Sequence, residues 1–384
     1  MIRQSNATTI NDGRSPLERL KAQPFILGLF LPTQSGGWTP SLAPRGTSWD
    51  YDYNAKLTVR ADELGFDLVF ALAQWLGKGG YGGKSHYREQ TIDPLITTAG
   101  LASLTRNIVL ISTVHVLYGW HPLHLAKMGA TIDHMSGGRW GLNVVTGYVP
   151  TEAPMFGLEH PEHDKRYVIA AEFLDAMQQL WHSDVNITFD GAHYQMKDAF
   201  VTPKPRFGRP IVVNAGSSDA GLDFAARHSD LLFITSPAGA EFGAAVASLP
   251  AFNAHIKARG AEMGRKVTTI INPHIICRET EKEARDAYRA IADQEDAEAV
   301  DNLMQSFTKG DNKSFRGHKR DQRIVGGNIQ MIGTPEQIVD GMLRLKRAGC
   351  DGVQVNFFDF EPDIEFFGNR ILPLMRQAGL RNTA

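Results

Sequence analysis

The sequence predicts an α/β protein built as one TIM-type (β/α)8 barrel, and three observations predict it. Eight short apolar runs are spread along the 384 residues. Several are continuous rather than alternating, as expected of strands buried on both faces of a parallel sheet. Stretches with helical periodicity separate them, and strand–helix repeated eight times closes into a barrel, which routinely exceeds 250 residues as a single domain. An open doubly wound sheet is the alternative, but no glycine-rich dinucleotide turn follows the first strand.

The strand candidates are 25–31, 68–72, 108–116, 140–146, 211–215, 231–235, 268–277 and 352–357. Helices are expected over 53–65, ending at Gly65, and over 122–134 and 164–182. Another is expected over 335–348, with Thr334 as N-cap, Pro335 in the first turn and Gly349 closing it. Residues 1–24 read as an N-terminal extension and 25–384 as the barrel domain. Two insertions interrupt the repeat. One, 183–210, is hairpin-like with a turn at Asp190–Gly191. The other, 295–330, is long, charged and glycine-containing, and is expected to form a lid hinged at Gly310, Gly317, Gly326 and Gly327 with Arg320 pointing inward.

The charge balance is nearly even, 40 basic against 42 acidic residues and a net charge of −2. That gives no signature of nucleic acid or an anionic membrane surface as partner. Two cysteines, Cys277 and Cys350, form no metal or redox spacing. The polar N-terminus lacks an apolar signal core, and no apolar run approaches the roughly 18 residues of a membrane span. These features lead us to expect a cytoplasmic enzyme.

A barrel places its site at the C-terminal strand ends. There the segment NAGSSDAG supplies Gly216, Ser217 and Ser218 at a helix start, a geometry that binds phosphate. Taken alone, that segment is better accounted for by a plain strand-to-helix turn with a serine cap. Arg166 and Tyr167 in HDKRY offer a guanidinium and a phenol for the same phosphate. None of the 13 histidines has metal-ligand spacing, and neither a nucleophile elbow nor a P-loop is present. The residues therefore describe a barrel with one phosphate-type turn and no acid–base dyad or metal, which suits chemistry supplied by a phosphorylated cofactor.

The string TIDHMSGGRWGLNVVTGY at 131–148, taken with HDKRY, AGSSDAG and IGTPEQI, resembles the bacterial-luciferase-like flavin-dependent monooxygenases. The resemblance extends from FLPTQSGGW to FFGNRILPLM, nearly the whole chain, and is strongest to the pyrimidine, dimethylsulfone and alkanesulfonate subfamilies. It implies reduced FMN and O2 as co-substrates, a separate NAD(P)H:flavin reductase, and a homodimer or homotetramer. It further implies that Asn143 contacts the flavin ring, that Gln74, Trp75 and Glu152 flank the cofactor, and that Arg166, Tyr167, Gly216, Ser217 and Ser218 hold the phosphate. His274 and Arg320 fall at catalytic positions of the alkanesulfonate enzymes, and Gln34, Val114, Asn272 and Phe358 fall in the substrate pocket. Val114, with Thr113 next to it, stands where the pyrimidine enzymes carry an oxygen-pocket threonine, which argues against a pyrimidine substrate. Asn272 stands for an arginine and Phe358 for a tyrosine of the alkanesulfonate enzymes, departures that argue against a charged sulfonate and favour a less polar substrate. A deazaflavin-dependent oxidoreductase and a non-catalytic flavin-binding barrel are the alternatives.

Overall fold

The computed structural model describes residues 2–309, 318–327 and 329–382. Eight parallel strands close into a barrel: β1 (Ile26–Phe30), β2 (Leu68–Ala71), β3 (Val109–His115), β4 (Trp140–Val145), β5 (Ile211–Asn214), β6 (Leu231–Ile234), β7 (Thr268–Ile271) and β8 (Gly352–Val355). They stand around the barrel in chain order. Closure comes from pairing Ile26 of β1 with Gly352 of β8.

Alternate residues fill the barrel and its outer shell. Leu68 and Phe70 of β2, Val109 and Ile111 of β3, and Ile211 and Val213 of β5 share one inner cluster. Their neighbours, such as Val69, Leu110 and Val212, pack outward against the helices. The N-terminal segment takes part in this core. A capped helix, Pro16–Lys21, lays Leu17 and Leu20 against the inner cluster and plugs the N-terminal end of the barrel.

Local sequence sets the helix boundaries. The helix Tyr51–Leu64 starts at the Asp50 cap and stops at Gly65, whose φ of 80° is left-handed. The helix Pro335–Arg347 opens on a capping box between Thr334 and Gln337. Residues 183–210 contain an antiparallel hairpin, Ile187–Asp190 with Gln195–Ala199, closed by Gly191 N–H donating to Tyr194 O at 3.0 Å.

Two expectations are corrected. The run 268–277 is not one strand. Barrel pairing ends at Ile271, and Pro273–Cys277 leaves to pair in parallel with Ile329–Gly333. Pro273 has no N–H to continue a central ladder, so the break falls there. The segment 295–330 is also more regular than a loop. It forms the helix Ala297–Lys309, the short helix Arg320–Val325 and the start of the Ile329–Gly333 strand. Gly310 and Gly317 lie outside the described residues. Gly326 and Gly327 are not spacers in open chain. A Cβ on Gly326 would sit 2.2 Å from Trp38 O, and one on Gly327 2.5 Å from the His274 Cβ. Asp296 accepts from Ser85 N at 2.7 Å and Ser85 Oγ at 2.6 Å, docking the long loop after β2 onto the start of the 297–309 helix.

Candidate active site

A cavity of about 240 Å³ opens at the C-terminal ends of the strands. Its floor is aromatic: Phe30, Phe70 and Phe233 meet edge to face, with centroids 4.9 and 4.7 Å apart. Because the strands stand in chain order, the rim divides into a half over β4 and β5 and a facing half over β1, β2 and the segment joining β7 to β8.

The first half is built from short turns. β4 ends in Asn143, and the chain then turns through Thr146 and Gly147. Gly147 has φ 79°, and a Cβ there would lie 2.2 Å from the Tyr118 hydroxyl, so only glycine fits. The Arg166 guanidinium, on a buried residue of the helix His163–His182, donates to Gly147 O. Tyr167 OH packs into a notch made by two glycines; added Cβ atoms at Gly216 and Gly221 would stand 2.9 and 2.8 Å from it. Burial lifts the Tyr167 phenol above its usual range, so it is a neutral donor. After β5, Asn214 donates to Val144 O at 2.9 Å and accepts from Gly216 N at 2.7 Å. Ser218 caps the helix Asp219–His228 by accepting from Gly221 N at 3.1 Å, which leaves its own hydroxyl proton to donate. The first-turn N–H groups of that helix face an anion favourably.

Asn143 is the polar group of β4 that reaches the cavity. Its Nδ2 donates to Thr113 Oγ1 at 3.0 Å, and its buried Oδ1 has no partner. A ligand that presents an N–H there would complete it.

The facing half is aromatic and cationic. Trp38, Tyr81, Tyr87, Leu303 and Phe307 line it together with Arg88 and Arg323. The Arg88 guanidinium lies 4.9 Å over the Trp38 ring and 5.0 Å over Tyr87. Arg323 lies 4.8 Å over Phe307, and burial pushes its guanidinium down to about 9.

The cavity thus gathers Asn143, Arg166, Tyr167, Gly216, Ser217 and Ser218, and at its floor Asn272. Other sequence candidates fall elsewhere. Gln74 stands behind the wall, donating to Tyr81 OH at 3.1 Å and accepting from Arg88 at 3.3 Å. Gln34 is buried in the turn after β1, donating to Gly37 O at 3.0 Å. Trp75 is 42% exposed and edge-on to Phe156. Phe358 packs in a side cluster with Ile276 and Val325 under Arg45. Val114 faces the helices, because the in-pointing residue is its neighbour Thr113. Successive residues of a strand point to opposite faces, so the hydroxyl on the Asn143 side of β3 is that of Thr113.

His274 is fully buried behind the wall. It contacts Asn356 Oδ1 through Nδ1, and Asn356 donates to Asn272 Oδ1 at 3.0 Å. Burial holds its imidazole at about 4, so it is neutral and can only position Asn272 through Asn356. Arg320 points outward, pairing with Glu295 at 2.8 Å and with Asp301. The guanidinium that enters from this helix is Arg323, one turn on.

One pair escaped the sequence. His115 at the end of β3 lies 3.0 Å from Glu152 after β4, both side chains at most 1% exposed. The other Glu152 oxygen accepts from Trp75 N at 3.1 Å. Burial, then the Glu152 charge, raises the Tyr118 and Tyr148 phenols beside it. The two groups touch without a hydrogen bond and neither lines the cavity; through Trp75, Glu152 ties the loop after β4 to the loop after β2. Among the described residues no group of three or more His, Cys, Asp or Glu could hold a metal. No described helix is long and apolar enough to cross a membrane.

The profile of the family described as luciferase-like monooxygenase matches residues 26–352. The chain is 34% identical over 367 residues to the FMNH2-dependent dimethylsulfone monooxygenase of Pseudomonas putida, covering 93% of this chain and 96% of that one. It is 32% identical over 365 residues to the pyrimidine monooxygenase RutA of Acinetobacter baylyi, covering 91% and 94%. Among solved structures it is similar to riboflavin lyase with modified FMN and riboflavin, with a TM-score of 0.83, 22% identity, and 94% and 93% of the two chains covered.

Proposed function

The chain belongs to the luciferase-like monooxygenase family, and on that premise we propose that its cavity binds reduced FMN over β4 and β5 and oxygenates a small organic substrate. The observation that carries this reading is the buried Arg166 beside the Tyr167–Gly216–Gly221 notch, next to a serine-capped helix start. These residues fit a phosphate, and the unpartnered Asn143 Oδ1 fits the N–H edge of a reduced flavin ring.

When bound, reduced FMN supplies the two electrons that reduce O2, one oxygen atom passing to the substrate and the other leaving as water. The protein binds, orients and excludes solvent. Arg166, Tyr167 and Ser218 anchor the phosphate end. Thr113 fixes the Asn143 amide so that Oδ1 faces the ligand. Trp38, Tyr81, Tyr87 and Phe307 keep water from the reacting atoms.

The curated relatives carry dimethylsulfone and pyrimidine in their names. We accordingly assign this chain a sulfur-, nitrogen- or halogen-containing small molecule. A separate NAD(P)H:flavin reductase supplies the reduced flavin, and a cytoplasmic homodimer or homotetramer completes the assignment. The test is Arg166→Ala. FMN affinity is expected to fall by roughly 10- to 100-fold, the effect of losing one charge-assisted hydrogen bond. Riboflavin, lacking the phosphate, is expected to bind variant and parent alike. Unchanged FMN affinity would refute the phosphate placement.

A further inference from the structure

The facing half of the rim carries cations that the flavin reading does not use. Arg88 and Arg323 come from different excursions, the loop after β2 and the helix Arg320–Val325, yet both line the same cavity, and each lies over an aromatic ring. They stand close enough for the charge of Arg88 to act on Arg323. None of the residues lining the cavity, all described, is an aspartate or glutamate.

What a structural buried arginine looks like in this chain is seen at Arg139. It donates to Ser136 O, Thr105 Oγ1, Ile108 O, Ala102 O and Thr105 O, at 2.7 to 3.2 Å. Arg381, likewise buried, is held by the Asp67 carboxylate and by two backbone carbonyls. Arg88 has neither kind of support. Its Nη1 donates to Gln74 Oε1 at a long 3.3 Å, its buried Nε has no partner, and no carboxylate among the described residues pairs with it. A fork of donors held over rings with a hydrogen-bonding edge left over is complementary to a planar or tetrahedral oxyanion.

We propose that Arg88 and Arg323, on the Trp38, Tyr87 and Phe307 rings, form a substrate anion subsite, and that the substrate is an organic acid whose carboxylate, sulfinate or sulfonate group docks there with its apolar body on the aromatic wall. The proposal rests on the flavin reading for the word substrate, and it replaces the less polar substrate expected from the sequence. Position separates the two anion sites. Arg166 stands over β4 and β5 for the cofactor, and Arg88 and Arg323 stand across the mouth. An acid anchored there presents its other end toward Asn143.

The test is equilibrium binding by calorimetry on the full chain, with and without saturating FMN. The probes are benzenesulfonate and benzoate against their neutral counterparts methyl phenyl sulfone and benzamide. The anions are expected to bind at least about tenfold tighter than the neutral compounds. That preference is expected to vanish in Arg88→Gln and in Arg323→Gln, to survive in part in Arg88→Lys, and to persist in Arg166→Ala. Equal binding of charged and neutral probes overturns the proposal. So does competition between the anions and FMN, or a loss of FMN affinity in Arg88→Gln, since either result puts the anion in the phosphate site. If FMN does not bind at all, the flavin reading fails, while the anion preference of the chain alone still decides the subsite.

Discussion

The two halves of the barrel rim are held by different means. Over β4 and β5 the polar groups are fixed by backbone within a few residues: Gly216 N on Asn214 Oδ1 at 2.7 Å, Gly221 N on Ser218 Oγ at 3.1 Å. Over β1, β2 and the β7–β8 segment the wall is assembled from separate excursions, pinned to each other by Asp296 on Ser85 and by Asn302 Nδ2 on Tyr81 O at 2.8 Å. The first half offers a geometry that any phosphate ester can use. The second offers side chains on long loops, whose chemistry can change without disturbing a barrel strand. On the function proposed above, cofactor recognition sits in contiguous segments, and substrate recognition in residues that only the fold brings together.

The largest effect that would test this division comes from its centre. Asn143 is the β4 residue that faces the cavity with an unsatisfied oxygen. Asn143→Ala is expected to weaken FMN binding by no more than about tenfold, the loss of one neutral hydrogen bond, and to lose product formation on the order of a hundredfold, as removal of one preorganised polar group does. Oxygen uptake is expected to continue, uncoupled and yielding hydrogen peroxide. Normal coupling, read as product formed per O2 consumed, would return Asn143 to a structural role.

A paired substitution sharpens the same point one layer down. Thr113→Val removes the acceptor that orients Asn143, stranding a buried donor at a cost of about 1–3 kcal/mol, and is expected to lower coupling. Val114→Thr places a hydroxyl in the outer apolar cluster with Leu95 and Trp140; it is expected to lower stability by about 1 kcal/mol or more and leave coupling intact. The reverse pattern would mean that the strand faces are assigned the wrong way round.

That strand also marks where reading the residues stops short. Every one of the eight apolar runs contains a barrel strand, because burial on both faces writes a strong signal. The same continuity hides which face each residue takes, so IVLISTVHV gave no alternation to separate Thr113 from Val114. HDKRY and AGSSDAG could be read as one candidate cluster because each is short and contiguous, and Arg166, Tyr167, Ser217 and Ser218 do line one cavity. His115 and Glu152 could not, since they meet only because β3 and β4 are neighbours. Arg88 could not either, because its partner rings Trp38 and Tyr87 come from two different loops.

A smaller effect comes from behind the wall. Burial holds folded His274 at about 4, with the Arg45 charge also lowering it and Asn356 raising it, while an unfolded histidine titrates near 6.5. The folded state binds the proton less readily, so the stability present above pH ~6.5 is lost as pH falls toward ~4, at up to about 1 kcal/mol per pH unit. His228, held at about 4 by burial, adds a similar loss in the same window. Urea unfolding of His274→Gln between pH 7.5 and 4.5 is expected to show a shallower decline than the parent. An identical slope would mean that His274 titrates normally, and that the Asn272–Asn356 relay is not built on a neutral imidazole.

The smallest expected effect separates two arginines on one short helix. Arg320 and Arg323 are one turn apart on the six-residue helix Arg320–Val325, and the sequence reading picks Arg320 as the one that points inward. The fold chooses by what each meets. Arg320 is 41% exposed and bridges Glu295 and Asp301, whereas Arg323 turns under Phe307 to the cavity. Exposed ion pairs contribute little, because water screens them and two long side chains lose freedom in forming them. Arg320→Ala is therefore expected to change stability by less than about 1 kcal/mol and to leave turnover and FMN binding unaltered. Arg323→Ala, in the same assay, is expected to raise the KM for an acidic substrate with FMN affinity unchanged. If the first variant loses activity and the second does not, the helix presents its opposite face to the site, and the cationic half of the rim is held by Arg320 instead.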